Sequence, residues 1–183
     1  LGAKYNRCAK AYPADIYMGW ADDMTCPTPG WDKILTDAIA LYPDKCGMVY
    51  FGKREGSSLP VSWAMSHTMV EKIGYFAPPY FPCWYHDTWT DEIARMTGRM
   101  FYADVTINFP NGQGKTRGLR DVAFWATFFD LTRPLRKAIA EKILRDPDLI
   151  QPNWHRLQLL QTIDAMCSQL EARNANLRDP LQA

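Results

Sequence analysis

The chain has 183 residues, 47% hydrophobic and 22% charged, with 21 basic and 20 acidic side chains. That is the balance of a globular domain rather than of a disordered or fibrous chain. A net charge of +1 leaves no electrostatic footprint for a nucleic-acid partner, and no apolar run approaches the ~20 residues of a membrane-spanning helix.

Residues 16–20 (Ile-Tyr-Met-Gly-Trp) are the first strand. They are apolar at consecutive positions, the pattern of a strand buried on both faces. The strand runs into Ala21-Asp22-Asp23. Thr28-Pro29-Gly30-Trp31 then opens a helix, with Thr28 as N-cap and Pro29 in the first helical position. Trp31, Ile34, Leu35, Ala38, Ile39 and Tyr42 follow at helical spacing. Pro43 and Asp44 stop that helix. Residues 46–51 are a second apolar strand, so the unit is strand–helix–strand and predicts a parallel pairing.

After a polar loop at 53–58, residues 61–65 form a short strand. Thr68 and Glu71 have the spacing of a capping box for a helix ending at Gly74. Residues 75–85 are rich in aromatics and proline and too broken for regular structure. Thr88 and Asp91 resemble a second capping box, for a helix ending at Gly98. Residues 100–107 are a further strand, and 108–120 a loop. From Asp121 the pattern is helical. Residues 132–145 carry Leu135, Ile139, Ile143 and Leu144, and residues 153–173 carry Trp154, Leu157, Leu160, Ile163, Met166 and Leu170. Both are amphipathic helices, expected to pack on the rest of the chain or, alternatively, to meet a second copy, a partner or a membrane surface. The organisation is thus a mixed portion over 1–130 and a helical extension over 131–183.

Cys8, Cys26, Cys46, Cys83 and Cys167 are odd in number and widely spread, with no Cys-x-x-Cys pair. This argues against a zinc site or a disulfide framework and predicts buried, reduced thiols in a cytoplasmic protein.

Three groups could carry chemistry. Asp22 and Asp23 are adjacent carboxylates directly after a strand, where α/β sheets bind ligands. Such a pair repels unless a cation or donor lies between, and a hard divalent ion bridging to phosphates is one solution. The alternative is one aspartate in a turn and the other in water. Asp87, within Tyr85-His86-Asp87-Thr88, either supports a helix start or acts as a general base with a pKa raised by the aromatic rings around it. His86 either shares that work or packs. The loop 111–117 contains Gly114-Lys115-Thr116, but a P-loop needs glycine five residues before Gly114, and that position is Phe109. A basic loop remains, in which Lys115, Arg117 and Arg120 could neutralise a diphosphate leaving group. Phe76, Tyr80, Phe81, Trp84 and Tyr85 are either core or stacking surfaces. His67 lies at a helix start and His155 on the last helix.

Taken in order, these pieces resemble glycosyltransferase family 2, of the GT-A fold, from about residue 10 to about residue 125. Residues 16–23 look like the strand ending in that family's DxD-type metal motif. Pro29-Gly30-Trp31-Asp32 looks like the helix start after it. Ser66-His67-Thr68 through Lys72-Ile73-Gly74-Tyr75-Phe76 looks like the segment closing in a Gly-aromatic turn. Tyr85-His86-Asp87-Thr88-Trp89 resembles the acidic motif that supplies the base. The resemblance implies an α/β, Rossmann-like mixed sheet flanked by helices and a metal-dependent transfer of sugar from a nucleotide-diphosphate sugar to an acceptor hydroxyl. It implies Mn²⁺ or Mg²⁺ on Asp23 and Asp22. Asp87 would be the base with His86 beside it; Lys115, Arg117 and Arg120 would face the diphosphate, and Trp84, Tyr85 and His67 the acceptor.

There are two departures. Where many relatives have a metal-binding histidine, this chain offers Asn108, a weaker ligand for Mn²⁺ but acceptable for Mg²⁺. Only 15 residues precede the metal-motif strand, whereas a nucleotide pocket needs several βαβ units of about 30 residues each. The expectation is therefore a partial GT-A domain, completed by a preceding segment or a second chain. Competing readings are an inactive binding or structural module built on that fold, and a nucleotidyltransferase, which also uses paired acids and a metal.

Overall fold

The computed structural model describes residues 1–21, 24–53, 60–82, 84–108 and 121–177. Among these residues the chain forms four strands and seven helices, a mixed α/β architecture. The elements are α1 (Gly2–Ala11), β1 (Ile16–Met18), α2 (Trp31–Ala40), β2 (Met48–Lys53), β3 (Pro60–Ser66), α3 (His67–Ile73), α4 (His86–Thr97), β4 (Met100–Tyr102), α5 (Val122–Leu131), α6 (Arg133–Leu144) and α7 (Asn153–Leu177).

The sheet has the order β1-β3-β2-β4. β3 runs antiparallel to both β1 and β2, and β2 pairs in parallel with β4. The predicted strand–helix–strand order is present in β1, α2 and β2, but the parallel pairing expected of its two strands is corrected. β1 and β2 point the same way, but β3 lies between them. The register sets Tyr50 opposite Trp63 and Met48 opposite Met65, and Val49 opposite Ala64. Met48, Tyr50, Trp63 and Met65 belong to one core cluster; Val49, Phe51 and Ala64 belong to the other. That is the period-2 alternation of a strand covered on both faces. Leu35 and Ile39 of α2 close one face. Met69 and Ile73 of α3, Trp89 and Ile93 of α4, and Ile143 and Leu144 of α6 close the other.

The central strands β2 and β3 show the expected continuous burial, but β1 is only half-buried along its length. It is an edge strand of three residues. The predicted strand over 100–107 is regular only at Met100–Tyr102. Beyond it, Ala103 N–H donates to the Tyr50 carbonyl and Gly52 N–H to the Val105 carbonyl, so extended pairing with β2 continues without a regular ladder.

Three caps differ from the predicted ones. Thr28 does not start α2; its hydroxyl accepts from Thr106 N–H at 2.9 Å and ties two loops, and Gly30, at φ 67°, is the N-cap. Ser66, rather than Thr68, caps α3 by accepting from Met69 N–H at 3.2 Å. α4 starts two residues before Thr88, with Tyr85 as its N-cap.

The last two helices pack on the rest of the chain as expected, against α4 and each other, through faces shifted from the predicted ones. In α6, Ala140, Ile143 and Leu144 are buried while Leu135 is exposed. In α7 the inward residues are Leu159, Ile163 and Leu170; Trp154 and Leu157 are 69% and 58% exposed. Arg136 is wholly buried, its guanidinium donating to Glu92 of α4 and lying 3.8 Å from the centre of the Phe129 ring. Of the described cysteines, Cys46 alone is buried; Cys8 is exposed, and Cys26 and Cys167 are half-buried. Buried thiols are thus the wrong general expectation for this chain. No described helix is long and apolar enough to cross a membrane.

Candidate functional site

A cleft of about 350 Å³ opens where β1 ends. Its walls include Gly19, Trp20 and Ala21 from the segment that leaves β1, Tyr5 from α1, Trp63 from β3, and Trp84, Tyr85, His86, Asp87 and Thr88 at the start of α4. The residues immediately before Asp22 and Asp23 therefore share a cavity with Asp87. Asp22 and Asp23 themselves lie outside the described residues, as do Lys115, Arg117 and Arg120.

The cleft owes its shape to two close approaches. Gly19 lies against the Trp63 ring: a Cβ there would sit 2.6 Å from a ring carbon. The Gly19 carbonyl accepts from the Ser62 hydroxyl at 2.5 Å, and its N–H donates to the Trp63 carbonyl at 2.9 Å, fixing the end of β1 on β3. On the opposite wall, Tyr85 has φ 65° and ψ 6°. A bulky residue in the left-handed region is strained by roughly 1 kcal/mol or more. Its ring stacks on Phe129, centroids 4.8 Å apart, which holds it there. The twist turns the chain so that the next two side chains, His86 and Asp87, enter the first turn of α4.

Asp87 is half-buried, and its Oδ1 accepts from Thr88 N–H at 2.7 Å and from the Thr88 hydroxyl at 3.3 Å. Burial raises its pKa above the ordinary carboxylate value; the two Thr88 hydrogen bonds oppose this, and the Asp91 charge one turn on adds to it. A carboxyl group with a raised pKa in a ring-lined cleft can take a proton from a bound hydroxyl. His86 is buried, with Nε2 3.1 Å from the Phe81 carbonyl and Tyr5 edge-on at 6.5 Å. It positions the loop 81–86 against α4.

Asn108 is exposed, and its backbone forms a two-bond bridge with Thr25: Thr25 N–H donates at 3.1 Å and Asn108 N–H at 2.9 Å. Thr25 is two residues beyond Asp23 in the sequence. The expected ligands, two carboxylates and an amide oxygen, are hard oxygen donors of the kind that suits Mg²⁺ and, less tightly, Mn²⁺. Among the described residues no group of three or more His, Cys, Asp or Glu side chains could hold a metal ion; the paired acids are not among those residues.

His67, expected near the acceptor, is not in this wall. Its Nδ1 lies 2.9 Å from the Tyr17 hydroxyl and its Nε2 3.4 Å from Glu71. In the aromatic segment, Phe76 and Phe81 are core residues, Tyr80 is 41% exposed, and Trp84 and Tyr85 line the cleft.

Sequence reasoning missed α1 and with it Tyr5. The Tyr5 hydroxyl donates to the Trp20 carbonyl at 3.0 Å. Asn6 clamps the aromatic segment, its Nδ2 donating to the Ala77 carbonyl at 2.7 Å and its Oδ1 accepting from Phe76 and Ala77 N–H. The signal was the spacing of Gly2, Tyr5, Asn6 and Ala9 along one helix face.

No protein-family model, no curated protein and no solved structure matches this chain.

Proposed function

We propose that this chain carries the metal-motif and acceptor side of a glycosyltransferase that moves sugar from a nucleotide-diphosphate donor to an acceptor hydroxyl. The observation that carries the reading is the single cleft that joins the segment before Asp22-Asp23 to Asp87.

In this mechanism the acceptor lies against Trp84 and Tyr85, whose rings offer stacking faces. Asp87, ionised before the reaction, takes the proton of the acceptor hydroxyl. The oxygen attacks the anomeric carbon while the bond from that carbon to the diphosphate oxygen breaks. The electron pair leaves with the nucleoside diphosphate. Lys115, Arg117 and Arg120 neutralise the charge that develops there. Asp23, Asp22 and Asn108 would hold Mg²⁺ or Mn²⁺, which when bound supplies further neutralisation of the diphosphate. Tyr85 and His86 hold the base in place; Trp63 and Tyr5 shape the floor and exclude water.

The test is binding and turnover of a panel of nucleotide sugars by the full-length protein with Mg²⁺ or Mn²⁺, and again with chelator. The expected result is metal-dependent binding, lost in Asp23→Ala and retained in Asp87→Asn, with turnover lost in both. Absence of any metal-dependent nucleotide-sugar binding overturns the proposal and favours a binding module. Pyrophosphate release from a nucleoside triphosphate overturns it in favour of nucleotidyl transfer.

A further inference from the structure

Helices α5 and α6, separated only by Thr132, share an outward face of unusual composition. Among the described residues from Ala123 to Ala138, none of those exposed is charged, and Thr127 is the one with a polar side chain. Phe124, Leu131 and Leu135 are 54%, 74% and 40% exposed. A surface helix turns charged and polar residues to water, and a helix that is apolar all round is buried all round. The inward side of this stretch is already engaged: Phe129 stacks on Tyr85, and Arg136 is wholly buried on Glu92. The outward side is apolar and open.

The exposed and half-buried positions of this face repeat in alternating steps of three and four residues: Asp121, Phe124, Phe128, Leu131, Leu135, Ala138 and Lys142. That is the spacing of a seam that packs on another helix. The order is also its own reverse about Leu131. Laid antiparallel on a second copy, with a two-fold axis beside Leu131, Phe124 meets Ala138 and Phe128 meets Leu135, a ring against a smaller side chain in each case. Asp121 of one copy meets Lys142 of the other, at both ends of the seam. Both side chains belong to exposed residues. Asp121 Oδ1 accepts from Phe124 N–H at 2.9 Å, and Lys142 Nζ donates to the Lys72 carbonyl at 3.3 Å. A parallel arrangement sets Asp121 against Asp121 and Lys142 against Lys142, and like charges brought together in this way oppose association.

We propose that the α5–α6 face pairs with the same face of a second copy of this chain, in an antiparallel contact of two-fold symmetry centred on Leu131. A lipid surface fits this face less well. Binding to anionic lipid calls for cations around the apolar side, and here Arg133 and Arg136 are buried while Lys137 Nζ lies 2.5 Å from Asp164 Oδ1. From Phe124 to Ala138 the seam is at most about 22 Å long, at ~1.5 Å per residue, and about 10 Å across. That falls short of the ~800 Å² per partner of a standard interface, so the contact belongs to the weak, reversible class. The inference does not depend on the glycosyltransferase reading, since it uses none of the residues that line the cleft at the end of β1.

The experiment is sedimentation velocity of the full-length protein over a range of about 5 to 500 μM, wide enough for a weak contact. The expected result is a shift from monomer to dimer with rising concentration, with a dissociation constant of roughly 10–100 μM. Leu131→Glu, which sets two carboxylates together at the axis, should weaken association at least about tenfold. Its urea midpoint should stay as in the parent, because the residue is exposed. Lys142→Glu, which sets two acids together at each end, should weaken association about threefold or more. Leu157→Glu, at an exposed position of α7, should change nothing. Orientation is read by cysteine pairing under oxidant: a mixture of the Phe124→Cys and Ala138→Cys proteins should give the 124–138 cross-linked peptide by mass spectrometry. A protein that stays monomeric throughout, Leu131→Glu that associates as the parent does, Leu157→Glu that abolishes association, or a 124–124 cross-link in place of the mixed one would each overturn the proposal. Monomer that binds vesicles of phosphatidylcholine and phosphatidylserine, with binding lost in Leu131→Glu, would overturn it in favour of a lipid surface. If Leu131→Glu does not fold, Ala138→Arg, which adds bulk and charge opposite Phe124, decides the matter on folded protein.

Discussion

Arg136 and Glu92 form an ion pair with both side chains fully removed from solvent, α6 contributing the cation and α4 the anion. The Arg136 guanidinium also donates to the Phe129 carbonyl at 2.8 Å and lies against the Phe129 and Trp89 rings. Removing one member leaves a buried charge without its nearest partner, although Arg133 lies 3.8 Å from Glu92, whereas replacing both with apolar groups does not. Glu92→Ala or Arg136→Ala is expected to cost about 3–5 kcal/mol, and Glu92→Leu with Arg136→Met much less than the sum. Urea unfolding of the two single variants and the double variant checks this. A double variant no more stable than either single one would show that the pair contributes through packing and not through its charge.

Gly19→Ala tests the cleft from a position with no chemistry of its own. A Cβ would meet three atoms of the Trp63 ring at 2.6 to 2.8 Å. The Trp63 ring is stacked on Phe76 at 5.6 Å and meets Tyr5 edge-on at 6.2 Å, so it has little room to turn. Overpacking of this kind costs about 1–3 kcal/mol. The variant should unfold at lower urea concentration and shift the indole N–H signal of Trp63. An unchanged midpoint would show that the wall yields freely.

The two central strands could be read from residues 46–51 and 61–65 because a doubly covered strand needs a nearly continuous apolar run, broken in the second only by Ser62. Strand order could not. The apolar runs of β1 and β2 are alike, and only β3, inserted antiparallel between them, decides that they do not touch. Caps were the least legible: Thr28, Thr68 and Thr88 each had the right neighbours, but the N-caps are Gly30, Ser66 and Tyr85. In the cleft, Asp87 and Tyr85 were visible as an acid within an aromatic run. Tyr5 and Trp63 were not, because their membership depends on α1 crossing back to β3, a long-range contact without a local pattern. His67 shows the converse, a suitable residue type drawn to Tyr17 and Glu71 instead.

Asp44 joins three segments. Its Oδ1 accepts from Arg99 at 2.8 Å and from Cys46 N–H at 3.0 Å, and its Oδ2 accepts from Ile150 N–H at 2.8 Å. Arg99 and Asp44 have 1% and 7% of their side-chain surface exposed. Asp44→Ala leaves a buried guanidinium and two backbone donors without this partner, and is expected to cost about 3–5 kcal/mol. Urea unfolding reads the loss directly. A change below about 1 kcal/mol would show that water replaces the carboxylate there.

Thiol reactivity should follow burial. Cys46 is wholly buried, its Sγ 3.4 Å from the Met69 sulfur, and burial pushes its pKa up to about 11. Because the thiolate is the reactive form, Cys46 should be alkylated more slowly than exposed Cys8 by at least about 100-fold at neutral pH, when native protein is treated with iodoacetamide and mapped by mass spectrometry. Equal rates would mean that β2 opens readily from its flanking helices.

Asp87 separates a catalytic role from a structural one through pH. Burial is the largest influence on it and raises its folded pKa above the unfolded value. In the interval between those two values the folded state holds a proton that the unfolded state has released, so stability falls as pH rises through that interval. At neutral pH the ionised, partly desolvated carboxylate is therefore a net cost. Asn in its place keeps an oxygen to accept from Thr88 N–H and carries no charge. Asp87→Asn is expected to be at least as stable as the parent at pH 7 and to lose the part of the pH dependence that Asp87 causes. If Asp87 is the base, the same variant loses at least about 100-fold in turnover, and the acidic limb of the parent's rate profile lies above the ordinary carboxylate value of about 3.9. A residue that only supports the start of α4 gives the opposite pattern: Asp87→Asn would then lose stability and keep its rate. Urea unfolding across pH 4 to 8, set beside the rate profile over that same range, distinguishes the two.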